Sequence, residues 1–183
     1  SSTGISTDTR KIEPGNIFFA LKGPNFNANE FVQKALSAGA SFAVVDEKKS
    51  ATSSNTILVD NALHTLQELA NYHRQKLKIP ILGITGSNGK TTTKELIKTV
   101  LSVKYKCQAT QGNLNNHIGV PLTILSLEKD IDIAIIEMGA NKLGDINELC
   151  HIAEPTHGII TNIGKAHTEG FGNFEGVLRG KSE

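Results

Sequence analysis

The sequence is poor in cysteine and has no long apolar run. Its 183 residues include two cysteines, Cys107 and Cys150, which lie far apart and form no C-x-x-C pair. This argues against a disulfide framework and against a zinc site. No apolar run approaches the roughly 20 residues that span a bilayer, and no charged-then-apolar leader is present. We therefore expect a cytoplasmic protein without membrane insertion.

An excess of charge of either sign is also missing. Nineteen Lys and Arg residues stand against 18 Asp and Glu residues, which gives a formal net charge of +1. Without a strongly basic composition, nucleic acid is not an expected partner. The length is sufficient for one large or two small domains. Because the chain opens on Ser1 and stops at Glu183 without a helix-ending signal, we expect a fragment of a longer protein.

A phosphate-binding pattern stands at residues 79–98, IPILGITGSNGKTTTKELIK. The apolar run that ends at Thr85 predicts a buried strand, residues 86–89 a tight glycine turn, and residues 90–102 a helix. Such a turn lets successive N–H groups and the helix N-terminus face an anion. Lys90 suits the outer phosphates of a nucleotide, and the Thr91 hydroxyl suits Mg²⁺. The candidate nucleotide-binding residues are Gly86, Ser87, Asn88, Gly89, Lys90, Thr91 and Thr92.

The pattern departs from the usual phosphate loop, G-x-x-x-x-G-K-[ST], at one position. That pattern requires glycine at position 84, where this chain has Ile84, so the match is T-G-x-x-G-K-T over residues 85–91. An ordinary glycine-rich turn between strand and helix is the alternative. The Lys-Thr placement and the strand-loop-helix context favour the nucleotide motif.

The chain predicts an α/β fold in two domains, residues 1–78 and 79–183. In the first, residues 5–21 predict strand, turn and strand, residues 31–36 a helix, residues 41–46 and 56–60 two buried strands, and residues 61–77 a helix. Pro80 ends that helix and marks the boundary. In the second, strands at 81–85, 106–110, 131–138 and 158–163 alternate with helices at 90–102, 121–127 and 145–152. This alternation predicts a mostly parallel sheet with helices on both faces.

Polar clusters follow three strands of the second domain, at the edge where ligands of such sheets collect. Glu137 ends one strand and is placed to bind Mg²⁺ directly or through water; a capping or salt-bridged carboxylate is the alternative. His167 lies in a glycine-rich loop, where it is suited to bind a second metal ion; a solvated side chain is the alternative. Asn113, Asn115 and Asn116 are suited to hydrogen-bond a substrate or to form a turn.

These motifs, in this order, resemble the Mur ligases of peptidoglycan synthesis. The resemblance covers nearly the whole chain, through STDTRKIEPGNIFFALKG, GITGSNGKTTTKELI, TQGNLNNHIGVPLTIL, EMGANKLGDINEL and TNIGKAHTEGFGNFEGV. The EMGA and NIGxAHxEGFG forms are similar to those of members that add D-alanyl-D-alanine to a UDP-N-acetylmuramoyl-tripeptide. Those two molecules would be the partners, with ATP and Mg²⁺ as cofactors and a monomer as the acting form.

The resemblance implies a reaction and a set of catalytic residues. ATP phosphorylates the terminal carboxylate of the tripeptide, and the amine of the dipeptide attacks the acyl phosphate. Thr91 and Glu137 would bind one Mg²⁺ and His167 a second, while Lys90 holds the phosphates. Lys181 matches a lysine that CO₂ carbamylates into a metal ligand; an exposed terminal lysine is the alternative, and we expect it unmodified in this fragment.

The resemblance also assigns the first domain to the UDP end of the substrate and the second, incomplete here, to ATP. The implied uridine and diphosphate pocket consists of Ser6, Thr7, Asp8, Thr9, Arg10, Ala20, Leu21 and Lys22. Pairing of Arg10 with Asp8 is the alternative for that arginine. Mur ligases have a third, C-terminal domain, and we expect that domain to lie outside this fragment. We therefore expect nucleotide or UDP-substrate binding without ligase turnover.

Three other functions remain open on the sequence. The phosphate loop and Glu137 alone allow a P-loop phosphotransferase or NTPase. A nucleotide-sugar binding module with a degenerate ATP site is the second. The third is a Mur ligase that adds a diamino acid to the dipeptide precursor.

Overall fold

The structure is a computed structural model that describes residues 2–164 and 168–183. The chain forms two compact units, Ser1–Leu69 and Ala70–Glu183. The division lies inside helix α2, Ala62–Lys76. The domain boundary that Pro80 suggested, after Lys78, stays a prediction. Among the described residues, no helix has both the length and the apolar character needed to cross a membrane.

The first unit is built on a small parallel sheet. Its strands are β1 (Gly4–Ser6), β2 (Asn16–Phe19), β5 (Phe42–Val45) and β6 (Thr56–Leu58), in the order β1-β2-β5-β6. β3 (Lys22–Gly23) and β4 (Phe26–Asn27) form a separate antiparallel pair, and α1 spans Val32–Ser37. Phe18, Val32, Ala43 and Val45 pack in the core between helix and sheet.

The sequence prediction left one detail of the first unit open and was wrong about another. β1 and β2 pair in parallel, because a short 3-10 helix, Thr9–Lys11, carries the chain back before β2 begins. The strand predicted at 56–60 is present as β6, but the prediction that it is buried was wrong. β6 is the edge strand of its sheet, and Ile57 and Leu58 are 45% and 49% exposed.

The second unit has the predicted alternation of strands and helices. The strands are β7 (Ile81–Thr85), β8 (Cys107–Ala109), β9 (Ile133–Glu137) and β10 (His157–Ile160), all parallel, in the order β10-β7-β9-β8. The intervening helices are α3 (Lys90–Leu101), α4 (Gly119–Leu125) and α5 (Asp145–Ala153), and two more follow, α6 (Thr168–Phe171) and α7 (Phe174–Lys181).

The sheet of the second unit has helices on both faces, as predicted. Alternate side chains of β9 point to opposite faces. Ala134 and Ile136 pack in a cluster with residues of α4, α5 and α7. Ile133 and Ile135 pack in another, with Ile97 and Leu101 of α3 among its members. This two-layered core fixes the carboxyl ends of β7, β8 and β9 at one edge, where the phosphate loop lies.

Helix α7 was not predicted from the sequence. The sequence analysis assigned no secondary structure to residues 173–181. In the structure the Asn173 side chain accepts a hydrogen bond from the Gly176 N–H at 2.9 Å and so caps the helix. A Cβ at Gly176 or Gly180 would overlap Phe171, so glycine is required here for close packing against that residue.

Candidate functional site

The phosphate loop connects β7 to α3 through two glycines in conformations that other residues avoid. Gly86 has φ 142° and Gly89 has φ 76°. A Cβ on Gly86 would also overlap the Thr161 hydroxyl. The turn predicted from T-G-x-x-G-K-T is therefore a real backbone requirement, because only glycine combines the positive φ with this close approach.

Positive charge and free N–H groups meet at the start of α3. The first N–H groups of a helix have no partner within the helix, and the helix dipole makes this end attractive to anions. Lys90 is the first residue of α3, and its Nζ donates a hydrogen bond to the Gly86 carbonyl at 2.8 Å. The lysine thus lies over the loop that precedes it, which is where a bound phosphate would lie.

Thr91 and Glu137, predicted as magnesium ligands, lie in direct contact. The Thr91 hydroxyl donates a hydrogen bond to Oε2 of Glu137 at 2.9 Å. Glu137 is only 2% exposed and ends β9, next to β7. The pair offers a hydroxyl and a carboxylate oxygen, the hard oxygen ligands that Mg²⁺ prefers. The residues present therefore fit a magnesium ion.

Asn115 contacts Glu137, and its predicted contact with a substrate stays a prediction. Its Nδ2 donates to Oε1 of Glu137 at 2.8 Å, so the two carboxylate oxygens are held by Asn115 and Thr91. The Glu137 N–H in turn donates to the Thr110 hydroxyl at 2.9 Å. Asn116 accepts the N–H groups of Ile118 and Gly119 at the start of α4. Asn115 thus orients Glu137 and Asn116 caps the start of α4, while Asn113 and Asn116 are both exposed.

Lys94 is a buried residue of the site that the sequence analysis missed. It is 1% exposed, and its Nζ donates to the Thr110 carbonyl at 2.7 Å. It also contacts the Glu95 carboxylate at 3.0 Å. The sequence signal that could have indicated its burial is its position, one helical turn before Ile97 on the apolar face of α3. Lys94 ties α3 to the segment that supports Glu137.

Lys181 is buried, so the alternative of an exposed terminal lysine is wrong. It is 3% exposed, its Nζ donates to the Ala140 carbonyl at 3.0 Å, and it lies 5.4 Å from the Phe171 ring centre. Burial, helped by the charge of Lys90, lowers the pKa of Lys181 to about 8. A larger share of its amine is therefore neutral near pH 8 than in an ordinary lysine.

The predicted second metal ligand, His167, lies outside the described residues. Among residues 2–164 and 168–183, no group of three or more His, Cys, Asp or Glu side chains is arranged to hold a metal ion. Thr91 and Glu137 thus remain the candidate ligand pair that the described part of the chain provides.

The first unit contains a cavity of about 470 Å³ at the predicted uridine pocket. Four predicted residues are among its lining, which consists of Thr7, Asp8, Thr9, Arg10, Phe18, Phe26, Ala28, Phe31 and Lys34. The rings of Phe26 and Phe31 stack with centres 5.6 Å apart. The sequence analysis missed these two phenylalanines, which give the cavity an aromatic wall.

The other predicted residues of this pocket have partners within the protein. Ser6 is buried and hydrogen-bonded to the Asp8 backbone. Lys22 contacts the carboxylates of Asp46 and Glu47 at 3.0 and 3.2 Å. Ala20 and Leu21 are buried in the core.

Arg10 does pair with Asp8, as the alternative for that arginine held. Its guanidinium contacts the carboxylate at 2.7 Å. The hydrogen bonds from Arg10 hold the pKa of Asp8 far below its usual range.

Comparison with known families decides the class of this protein. The model of the Mur ligase middle domain matches residues 84–183, and that of the Mur ligase family catalytic domain matches residues 1–75. The chain belongs to the Mur ligase family. This membership disfavours an unrelated phosphotransferase.

Individual relatives of this Mur ligase agree with one another. The UDP-N-acetylmuramoyl-tripeptide--D-alanyl-D-alanine ligase of Bacillus subtilis is 43% identical over 98% of this chain and 40% of its own length. Crystal structure I of MurF from Acinetobacter baumannii has a TM-score of 0.91 and 38% identity over 97% of this chain and 39% of that one. MurF ligase from Thermotoga maritima, in complex with ADP, has a TM-score of 0.90 and 35% identity over 97% and 42%. The chain thus spans about 40% of the length of the curated relatives it matches.

Proposed function

We propose that this chain is the part of a Mur ligase that binds ATP and the UDP end of its substrate, in an enzyme adding D-alanyl-D-alanine to a UDP-N-acetylmuramoyl-tripeptide. The observation that carries the proposal is the Thr91–Glu137 contact at the tip of β9, next to Lys90 and the start of α3. The name of the Bacillus subtilis relative supports this substrate pair. On this proposal residues 1–78 bind the UDP end and residues 79–183 bind ATP.

The proposed reaction has two steps. An oxygen of the tripeptide carboxylate attacks the γ-phosphorus of ATP, the bond to the β-phosphate breaks, and ADP leaves. The amine of D-alanyl-D-alanine then attacks the acyl carbon, a proton leaves the nitrogen, and phosphate departs as the amide forms. A carboxylate and a triphosphate repel each other by about 4 kcal/mol per charge pair at 4 Å and an effective dielectric of 20. The site must supply compensating positive charge.

Lys90 and the start of α3 supply that charge on the protein side. When phosphate binds, the Lys90 ammonium exchanges its hydrogen bond to the Gly86 carbonyl for one to a phosphate oxygen. The exchange costs little, because the amine already lies over the loop. The unpaired N–H groups of the first helical turn contact the same anion. This arrangement orients the outer phosphates.

Thr91 and Glu137 would hold Mg²⁺, which when bound neutralises charge on the phosphate oxygens. Asn115 and Thr110 contribute indirectly. Asn115 fixes one carboxylate oxygen of Glu137 and Thr110 fixes its backbone N–H. A carboxylate held this way stays in the orientation that a metal ligand requires. His167 and a carbamylated Lys181 are the proposed ligands of a second Mg²⁺.

The environment of Lys181 supports its proposed modification in the intact ligase. A carbamate forms when a neutral amine attacks CO₂, with loss of a proton from nitrogen. With its pKa lowered to about 8, the Lys181 amine is available in the neutral form near physiological pH.

The cavity with the stacked Phe26 and Phe31 rings is the proposed uridine site, because a flat base packs well on aromatic side chains.

Binding of ADP to the chain tests the nucleotide part of the proposal. We expect titration calorimetry to detect binding that Lys90→Ala weakens by at least tenfold. Lys98→Ala, at the far end of α3, is the matched control and should leave the affinity nearly unchanged. Equal affinity of Lys90→Ala and the unsubstituted chain would contradict the assignment.

Substrate choice is tested on the intact enzyme. ADP release that requires both the UDP-linked tripeptide and D-alanyl-D-alanine is the expected result. Release supported instead by a UDP-linked dipeptide and a diamino acid would replace the proposal with the diamino-acid-adding function.

A further inference from the structure

A short segment after β10, residues 161–164, lies directly against the phosphate loop. We propose that Asn162 in this segment is a positioning residue, which together with Thr161 holds the nucleotide-free phosphate loop in the shape that accepts an anion. The inference rests on the proposed nucleotide-binding function. We call residues 161–164 the loop brace.

Side-chain and backbone contacts link the brace to the two middle residues of the loop. The Ser87 N–H donates to the Asn162 carbonyl at 3.0 Å, and the Asn88 N–H donates to the Asn162 Oδ1 at 2.9 Å. The Thr161 hydroxyl donates to the Asn88 carbonyl at 2.6 Å. The Gly164 N–H donates to the Ser87 hydroxyl at 2.9 Å. The Ser87 N–H and both backbone groups of Asn88, its N–H and its carbonyl, thus have hydrogen-bond partners in the brace.

These contacts determine which groups remain for a phosphate. The N–H groups of Ser87 and Asn88 point to Asn162, so they are engaged before any ligand arrives. The N–H groups at the start of α3 have no helical partner, and Lys90 lies beside them. Anion binding therefore depends on the helix start and Lys90, while Ser87 and Asn88 serve to keep the loop in place. This refines the prediction that all seven loop residues contact the nucleotide.

The loop needs such support because glycines flank it. Gly86 and Gly89 both have positive φ values, and glycine loses more conformational freedom on ordering than other residues. Ordering one residue costs roughly 1–2 kcal/mol of backbone entropy. If the brace orders the loop during folding, that cost is not subtracted from nucleotide affinity.

Two of the contacts depend on side-chain identity, which separates the brace from an ordinary continuation of the sheet. The Thr161 N–H donates to the Thr85 carbonyl at 2.9 Å, a backbone contact that most residues could make at this position. The other two contacts, in contrast, require a side-chain acceptor oxygen at position 162 and a side-chain hydroxyl at position 161. Substitution can therefore remove the brace contacts and leave the strand pairing in place.

Amide hydrogen exchange in the nucleotide-free chain tests the brace without any ligand. In Asn162→Ala we expect the Asn88 amide to exchange at least tenfold faster than in the unsubstituted chain, because its acceptor is gone. Asn162→Asp retains an acceptor oxygen and should keep the protection. An unchanged Asn88 exchange rate in Asn162→Ala would overturn the proposal.

ADP affinity tests the consequence for binding. Thr161→Val removes the hydroxyl at nearly constant volume and should raise the Kd for ADP by roughly fivefold or more, equivalent to about 1 kcal/mol. Thr161→Ser restores the hydroxyl and should bind like the unsubstituted chain. Thr156→Val is the matched control, since the Thr156 hydroxyl contacts Ile81 at the opposite end of β10. It should lower stability without changing the Kd.

The outcomes separate the inference from the proposed function. Equal or tighter ADP binding by Asn162→Ala would mean that the Asn88 N–H serves the phosphate directly, which overturns the positioning role. If the unsubstituted chain binds no ADP, the proposed nucleotide function fails, whereas the Asn88 exchange rate still decides whether the brace holds the loop.

Discussion

Replacement of Gly86 by alanine should damage the phosphate loop in two separable ways. With φ at 142°, a side chain at this position carries backbone strain of roughly 1–3 kcal/mol. Its Cβ would also overlap the Thr161 hydroxyl, so that side chain must rotate away and lose its hydrogen bond to Asn88, at a cost of about 1 kcal/mol. Together these effects predict a loss of about 2–4 kcal/mol in the free energy of unfolding, with weaker ADP binding.

Urea unfolding followed by tyrosine fluorescence measures this loss in the second structural unit, which contains the phosphate loop. The chain has no tryptophan, and its two tyrosines, Tyr72 and Tyr105, both belong to the unit Ala70–Glu183. Gly112→Ala is the matched control, because Gly112 has a positive φ of 55° with nothing near its Cβ position. It should cost only the strain, about 1 kcal/mol.

A second substitution separates the two contributions at Gly86. Gly86→Ala combined with Thr161→Ala should be no less stable than Gly86→Ala alone, because the overlap and the hydrogen bond are then both absent. The reasoning is refuted if Gly86→Ala costs no more than Gly112→Ala, or if the effects of Gly86→Ala and Thr161→Ala simply add.

Two further predictions concern buried cations. Arg74 is 7% exposed and donates to the carbonyls of Leu77 and Ala153, each at 2.9 Å. Arg74→Met should therefore lower the free energy of unfolding in urea by about 3 kcal/mol, and Arg74→Lys by less. A loss below about 1 kcal/mol for Arg74→Met would contradict this prediction. Burial lowers the pKa of Lys181 from 10.5 to about 8, so between these pH values the unfolded chain binds more protons. Stability should therefore rise with pH from about 8 to 10.5 relative to Lys181→Met, and parallel pH profiles of the two proteins would contradict the burial argument.

The sequence predicted the parts of the site that depend on strand ends and loop motifs. Thr91 and Glu137 belong to distant segments, but the carboxyl ends of adjacent parallel strands meet at one edge, so their proximity could be anticipated. The glycine turn could also be anticipated, because its residue types demand unusual backbone conformations. Both inferences use rules that connect local sequence to position in a sheet.

The parts that sequence could not predict depend on partners far along the chain. Lys94 and Arg74 are charged helical residues, a residue type that usually faces solvent, and neither position tells which backbone carbonyl the buried side chain will meet. Asn115 is suited by type to a substrate, but folding brings it to Glu137. Nothing in the local sequence of Asn162 indicates that its side chain meets Asn88. Each of these contacts is a tertiary one, visible only in the fold.

The effect of Mg²⁺ on ADP binding tests the central claim, that Thr91 and Glu137 form the metal site of a nucleotide-binding loop. We expect Mg²⁺ to tighten ADP binding by the unsubstituted chain by at least tenfold, and Glu137→Gln to abolish this gain without weakening metal-free binding. Glu175→Gln, at the exposed start of α7, should retain the gain. An equal Mg²⁺ effect in Glu137→Gln and the unsubstituted chain would contradict the account.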